Sequence, residues 1–112
     1  MFRHVVLMTW QDGVPEEQVR AVLDGLRLLP GEIPEIRSFS FGTDAAMSEG
    51  NADIAVVADF DDEEDYLAYA SHPAHLALIT EYIRPILGAR HAVQYRQDET
   101  TRAGSTRGQS SA

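Results

Sequence analysis

The stretch EIRSFSFGTDAAMSEGNADIAVVADF, residues 35–60, contains two extended runs with a loop between them. In the first run, residues 35–42, side-chain character alternates, which predicts a strand with Arg37, Phe39 and Phe41 on one face. Residues 43–51 are small and polar and read as a loop. Residues 52–60 predict a second strand, with Ile54, Val56, Ala58 and Phe60 on one face. Two adjacent strands here decide the fold, because helical patterns lie on both sides of them.

Upstream, residues 2–10 (FRHVVLMTW) predict a strand that is mostly apolar on both faces. Phe2, His4, Val6, Met8 and Trp10 fall on one side, and Arg3, Val5, Leu7 and Thr9 on the other. A helix is predicted from Pro15 to Leu29. Proline suits its first turn, and Glu16 and Glu17 suit its positive dipole end. Val19, Val22, Leu23, Leu26 and Leu29 form its apolar stripe, and Pro30 and Gly31 are expected to stop it. Downstream, an acidic first turn opens a short helix over 61–70. A second helical piece is expected over 73–86 and a last strand over 89–97. Residues 98–112 are polar, lack periodicity and read as a flexible tail.

The order β-α-β-β-α-β predicts an α+β domain over 1–97 of the ferredoxin-like type, a four-stranded antiparallel sheet with helices on one face. Helices cover that face alone, yet Val5, Leu7, Val93 and Tyr95 point to the other. A second copy packed sheet against sheet is the simplest cover, so a homodimer is expected.

The chain has 112 residues, no cysteine and no lysine, and a net charge of −9. Disulfides, thiolate catalysis and Schiff-base chemistry on lysine are excluded. No basic residue other than histidine stands between Arg37 and Arg84, so nucleic acid and acidic membrane surfaces are not expected partners. No run approaches a membrane span, and the N-terminal residues lack the pattern of a signal peptide. A cytoplasmic protein is expected. The histidines lack a metal-binding spacing, because a proline separates His72 from His75 and no third ligand is near. No metal or other cofactor is expected.

Several phrases resemble the stress-responsive A/B barrel family, also called Dabb or dimeric α/β barrel proteins. They are RHVVLMTW at residues 3–10, GEIPEIRSFSFG at 31–42, YASHPAH at 69–75 and IRPIL at 83–87. The resemblance covers about residues 2–97 and implies a ferredoxin-like homodimer whose sheets close into a barrel. The best understood members are polyketide cyclases that close a ring by intramolecular aldol condensation; others form stress-related assemblies. In cyclase-type members a tyrosine and the last histidine of the HPAH motif act as an acid/base pair, and a first-strand histidine lines the pocket. The matching positions are Tyr69, His75 and His4. Ile54 and Gln94 stand where such members carry further polar partners. Some relatives place a cation at carbonyls in the segment that corresponds to residues 30–36.

This chemistry is sound on first principles. Histidine is a base poised near neutral pH, and a phenol that donates to a carbonyl oxygen stabilises an enolate. The expected pocket has Leu23, Leu26, Val56 and Leu78 as apolar lining, with Arg90 and Gln94 on the sheet. It would take a small apolar carbonyl compound. The alternative is a non-catalytic binding or stress-assembly module. There, His75 is a core histidine bonded to a backbone carbonyl, His72 is a local cap, His4 is a core residue and Tyr69 is packing bonded to His75.

Overall fold

The structure, a computed structural model, describes residues 1–97. The expected tail, residues 98–112, lies outside the described residues. The elements are β1 (Phe2–Trp10), α1 (Glu16–Glu32), β2 (Ser38–Thr43), β3 (Ile54–Phe60), α2 (Glu63–Ala70), α3 (Pro73–Leu78) and β4 (Leu87–Arg96). A π-helical turn (Ile79–Ile83) and a 3-10 turn (Arg84–Ile86) join α3 to β4. The four strands form one antiparallel sheet in the order β2-β3-β1-β4.

Pairing follows the alternation of side chains. His4, Val6 and Met8 of β1 stand opposite Ala58, Val56 and Ile54 of β3, and opposite Gln94, Ala92 and Arg90 of β4. These residues share the face that the helices cover. Val22, Leu26 and Leu29 of α1 and Leu78 of α3 are buried with Val6, Met8, Ile54, Val56 and Phe60 in one core. Burying a side chain of this size contributes about 1.5–3 kcal/mol. Gly25 lets the two helices meet: a Cβ there would stand 2.4 Å from Leu78 Cδ1.

Asp59 lies on the opposite, uncovered face, yet is only 5% exposed. Arg3 donates to it twice, Nε to Oδ1 at 2.7 Å and Nη2 to Oδ2 at 2.9 Å, and the Ser38 hydroxyl donates at 2.7 Å. These donors stabilise the carboxylate and hold Asp59 below the usual range, Arg3 most strongly. Four other arginines also pair with acids: Arg20 with Glu16, Arg27 with Asp24, Arg37 with Asp61 and Arg96 with Glu63.

Three expectations are corrected. The first helix runs through Pro30 and Gly31 to Glu32, where Ile33 N–H closes it on the Leu29 carbonyl at 2.9 Å. Pro30 removes one donor and does not prevent the last turn, because Ile33 is fully buried and anchors it. The second strand begins at Ser38 rather than residue 35. Ile36 N–H is turned back to the Ile33 carbonyl at 3.2 Å, and Arg37 N–H meets the Asp59 carbonyl at 2.8 Å. The helix over 73–86 changes period: Arg84 N–H donates to the Ile79 carbonyl, a five-residue step. Pro85 has no N–H with which to continue an α-helical ladder.

Candidate active site

Residues 69–75 build the site because the chain breaks between two helices. The α2 helix starts on Asp62, whose carboxylate accepts from Asp65 N–H at 2.9 Å, and ends at Ala70. Ser71 caps it, and His72 begins α3 with Pro73 in the first turn. His72 Nδ1 accepts from Ala74 N–H at 3.1 Å. His72 is therefore a local cap of α3. The break turns His75 back under α2, where its Nδ1 lies 3.1 Å from the Ala70 carbonyl. A carbonyl only accepts, so Nδ1 carries the proton and Nε2 keeps a free lone pair.

The rings of Tyr69 and His75 pack in a tilted arrangement, with centroids 4.3 Å apart and planes 41° from parallel. No hydrogen bond joins them among the described residues. Tyr69 also packs on Phe60 at 5.1 Å and on His4 at 6.2 Å. Tyr66 also packs on His4, at 5.0 Å. His4 reaches this cluster from β1, and its Nδ1 lies 2.7 Å from the Gln94 side-chain nitrogen. The amide donates, which places the His4 proton on Nε2.

These groups face a cavity of about 290 Å³. Of the expected site residues, His4, Tyr69, His75, Leu26, Val56, Leu78 and Arg90 line it. Leu23 and Gln94 do not. Leu23 packs against the core from α1, and Gln94 acts behind His4. Ile54 is fully buried in the core. Val6, Met8, Leu29 and Leu87 complete the lining, together with Ile79, Ile83 and Arg84 from the irregular turns. Strand parity already marked Val6 and Met8 as neighbours of His4. Ile79, Ile83 and Arg84 had no such signal, because a π-helical turn leaves no period to read.

The electrostatics favour neutral acid/base groups beside one cation. Burial lowers His4 to about 4, and the charges of Arg90 and His75 add to the effect. Burial also lowers His75; the Ala70 carbonyl opposes this, while Arg90 and His72 reinforce it. Burial raises the Tyr69 phenol to about 12, with Tyr66 adding and Arg90 opposing. At neutral pH both imidazoles are therefore uncharged and the phenol is protonated. Tyr69 is only 3% exposed, and no fully enclosed side-chain polar atom lacks a partner among the described residues. Its hydroxyl therefore opens on the cavity.

Residues 2–97 match the model of the Stress responsive A/B Barrel Domain, Dabb. An uncharacterised protein of Streptomyces coelicolor is 33% identical over 79 residues, 69% of this chain and 81% of its own. A dimeric ferredoxin-like protein of unknown function from Thermobifida fusca is 44% identical, with a TM-score of 0.78 over 84% of this chain and 88% of that one. A hydroxynitrile lyase from Passiflora edulis shares the fold at 20% identity, with a TM-score of 0.77 over 90% of this chain and 96% of its own. Among the described residues, no helix is long and apolar enough to cross a membrane. The sheet order, the two-helix break at residues 69–75 and the family match together place this chain in the stress-responsive A/B barrel family.

Proposed function

We propose that this protein is a homodimer whose cavity binds a small, mostly apolar carbonyl compound and moves a proton on the carbon beside the carbonyl. The observation that carries the reading is the free Nε2 lone pair of His75, held beside Tyr69 on an apolar cavity with Arg90 on its wall. The volume, about 290 Å³, is at the lower limit of ligand pockets, about 300 Å³. His75 Nε2 takes the proton, the C–H electron pair becomes a C=C bond as the C=O π pair moves to the oxygen, and the Tyr69 hydroxyl donates to the enolate that forms. The Arg90 charge favours that negative oxygen. In an aldol closure the enolate carbon bonds to a second carbonyl of the same molecule, whose oxygen recovers the proton from His75. Membership of a family fold that also houses a lyase supports the reading at the level of architecture.

The test is deuterium exchange at the carbons flanking the carbonyl of 2-octanone in D2O, followed by NMR. The native protein should accelerate exchange well beyond an equal concentration of free imidazole. His75→Ala should remove the acceleration, and Tyr69→Phe should reduce it by about 10²-fold or more. Exchange no faster than with imidazole would overturn catalysis and leave a binding module.

A further inference from the structure

Seven arginines lie among the described residues, and five of them are paired with carboxylates. Arg84 and Arg90 have no carboxylate partner among the described residues. Acid is not scarce in this chain, which has 18 Asp and Glu residues and a net charge of −9. Arg84 even has Glu81 three positions before it, yet no ion pair joins them. Both unpaired arginines instead line the cavity, one from the 3-10 turn and one from β4. The remaining wall is aliphatic or aromatic, apart from the two histidines and the Tyr69 hydroxyl.

We propose that the ligand of this cavity carries a carboxylate, seated between the guanidinium groups of Arg84 and Arg90, with its apolar body against Val6, Leu26, Val56 and Leu78. The proposal deepens the ligand-site reading and rests on it, but does not need catalysis. Planar guanidinium groups match a carboxylate with paired N–H donors, and such bonds are about twice as strong as neutral ones. A phosphate is a poorer match, because the cavity wall has no glycine-rich cradle of backbone N–H groups. Arg84 and Arg90 line the same cavity as His4, Tyr69 and His75. A carboxylate held by the two arginines leaves a carbonyl further along the ligand to meet Tyr69 and His75. The substrate class is then an oxo carboxylic acid with an aliphatic or aromatic body.

The test compares octanoate with octanamide, which match in chain and head-group shape but of which only octanoate is charged, by isothermal titration calorimetry on the full chain. Octanoate is expected to bind at least about tenfold more tightly. The ratio should approach one in R84Q and R90Q and stay at the native value in the control R20Q, which removes a charge that is not part of the cavity wall. Octanoate, but not octanamide, should also raise the apparent pKa of His75, read from its ring resonances, because the bound anion offsets Arg90. Equal affinity for acid and amide would overturn the carboxylate assignment while leaving a neutral-ligand pocket intact. Binding of neither compound would overturn this inference and the ligand-site reading together. Displacement of octanoate by equimolar inorganic phosphate would assign the arginines to phosphate instead. A preference for octanoate without exchange at the carbons flanking the ketone of 7-oxooctanoate would keep the inference and remove the catalysis.

Discussion

The bond from His75 Nδ1 to the Ala70 carbonyl does two jobs: it fixes the tautomer and it holds the ring against Tyr69. His75→Ala should therefore lose proton transfer while costing only about 1 kcal/mol of stability, the net value of one neutral hydrogen bond. Chemical denaturation beside the exchange assay separates the two effects, and a loss well above that with unchanged exchange would make His75 structural. Because His75 is lowered, its basic form persists below the ordinary histidine range. The acid limb of the exchange rate should accordingly fall below pH 6.5 and not above it. His4 supplies a second pH effect. Its folded value is about 4 against 6.5 unfolded, so between those values the unfolded chain binds more protons than the folded one. Its stability contribution is complete above pH 6.5 and is lost as pH falls through that window. The loss is about 3 kcal/mol at most. His4→Gln should flatten the same window in urea titrations; an unchanged slope would show that His4 is not held neutral. The sequence motif already singled out Tyr69, His75 and His4. Which nitrogen of each imidazole is free was not legible, because tautomers are chosen by partners such as Gln94, 90 positions away.

Among the elements, α1 and α3 both wall the cavity, through Leu26, Leu29 and Leu78. Gly25→Ala would add a Cβ within 2.4 Å of Leu78 Cδ1. The leucine methyl must move, and Leu78 is a cavity wall. Alanine gains about 1 kcal/mol of helix propensity, which offsets the displaced rotamer, so the melting temperature should change little. Octanamide affinity should fall. Unchanged affinity would mean that Leu78 relaxes away from the cavity. The apolar stripe Val22, Leu26 and Leu29 was readable as a face of period 3.6. The π-helical turn that brings Ile79, Ile83 and Arg84 to the cavity was not, because the chain there is irregular and its side chains follow their tertiary contacts.

At the scale of the whole molecule, the uncovered sheet face is the site proposed for dimerisation. Val93 is 53% exposed and Leu7 40%, with Tyr95 beside them. Arg3 and Asp59 form a satisfied ion pair on the same face, so that face presents little unpaired charge to a partner. Native protein should sediment as a dimer. Val93→Asp should yield a folded monomer, since an unpaired carboxylate in such an interface costs several kcal/mol. A native monomer at micromolar concentration would refute the dimer. The order of elements, the apolar faces of the strands and the break at Pro73 follow from the sequence alone, because local sterics and side-chain period set them. Tertiary structure decided the rest. It carried α1 through Pro30, held His4 and His75 neutral by burial, set Leu23 outside the cavity and left Arg84 and Arg90 without carboxylates. Each of those outcomes depends on contacts between residues far apart in the chain, and no local pattern encodes which groups such contacts desolvate.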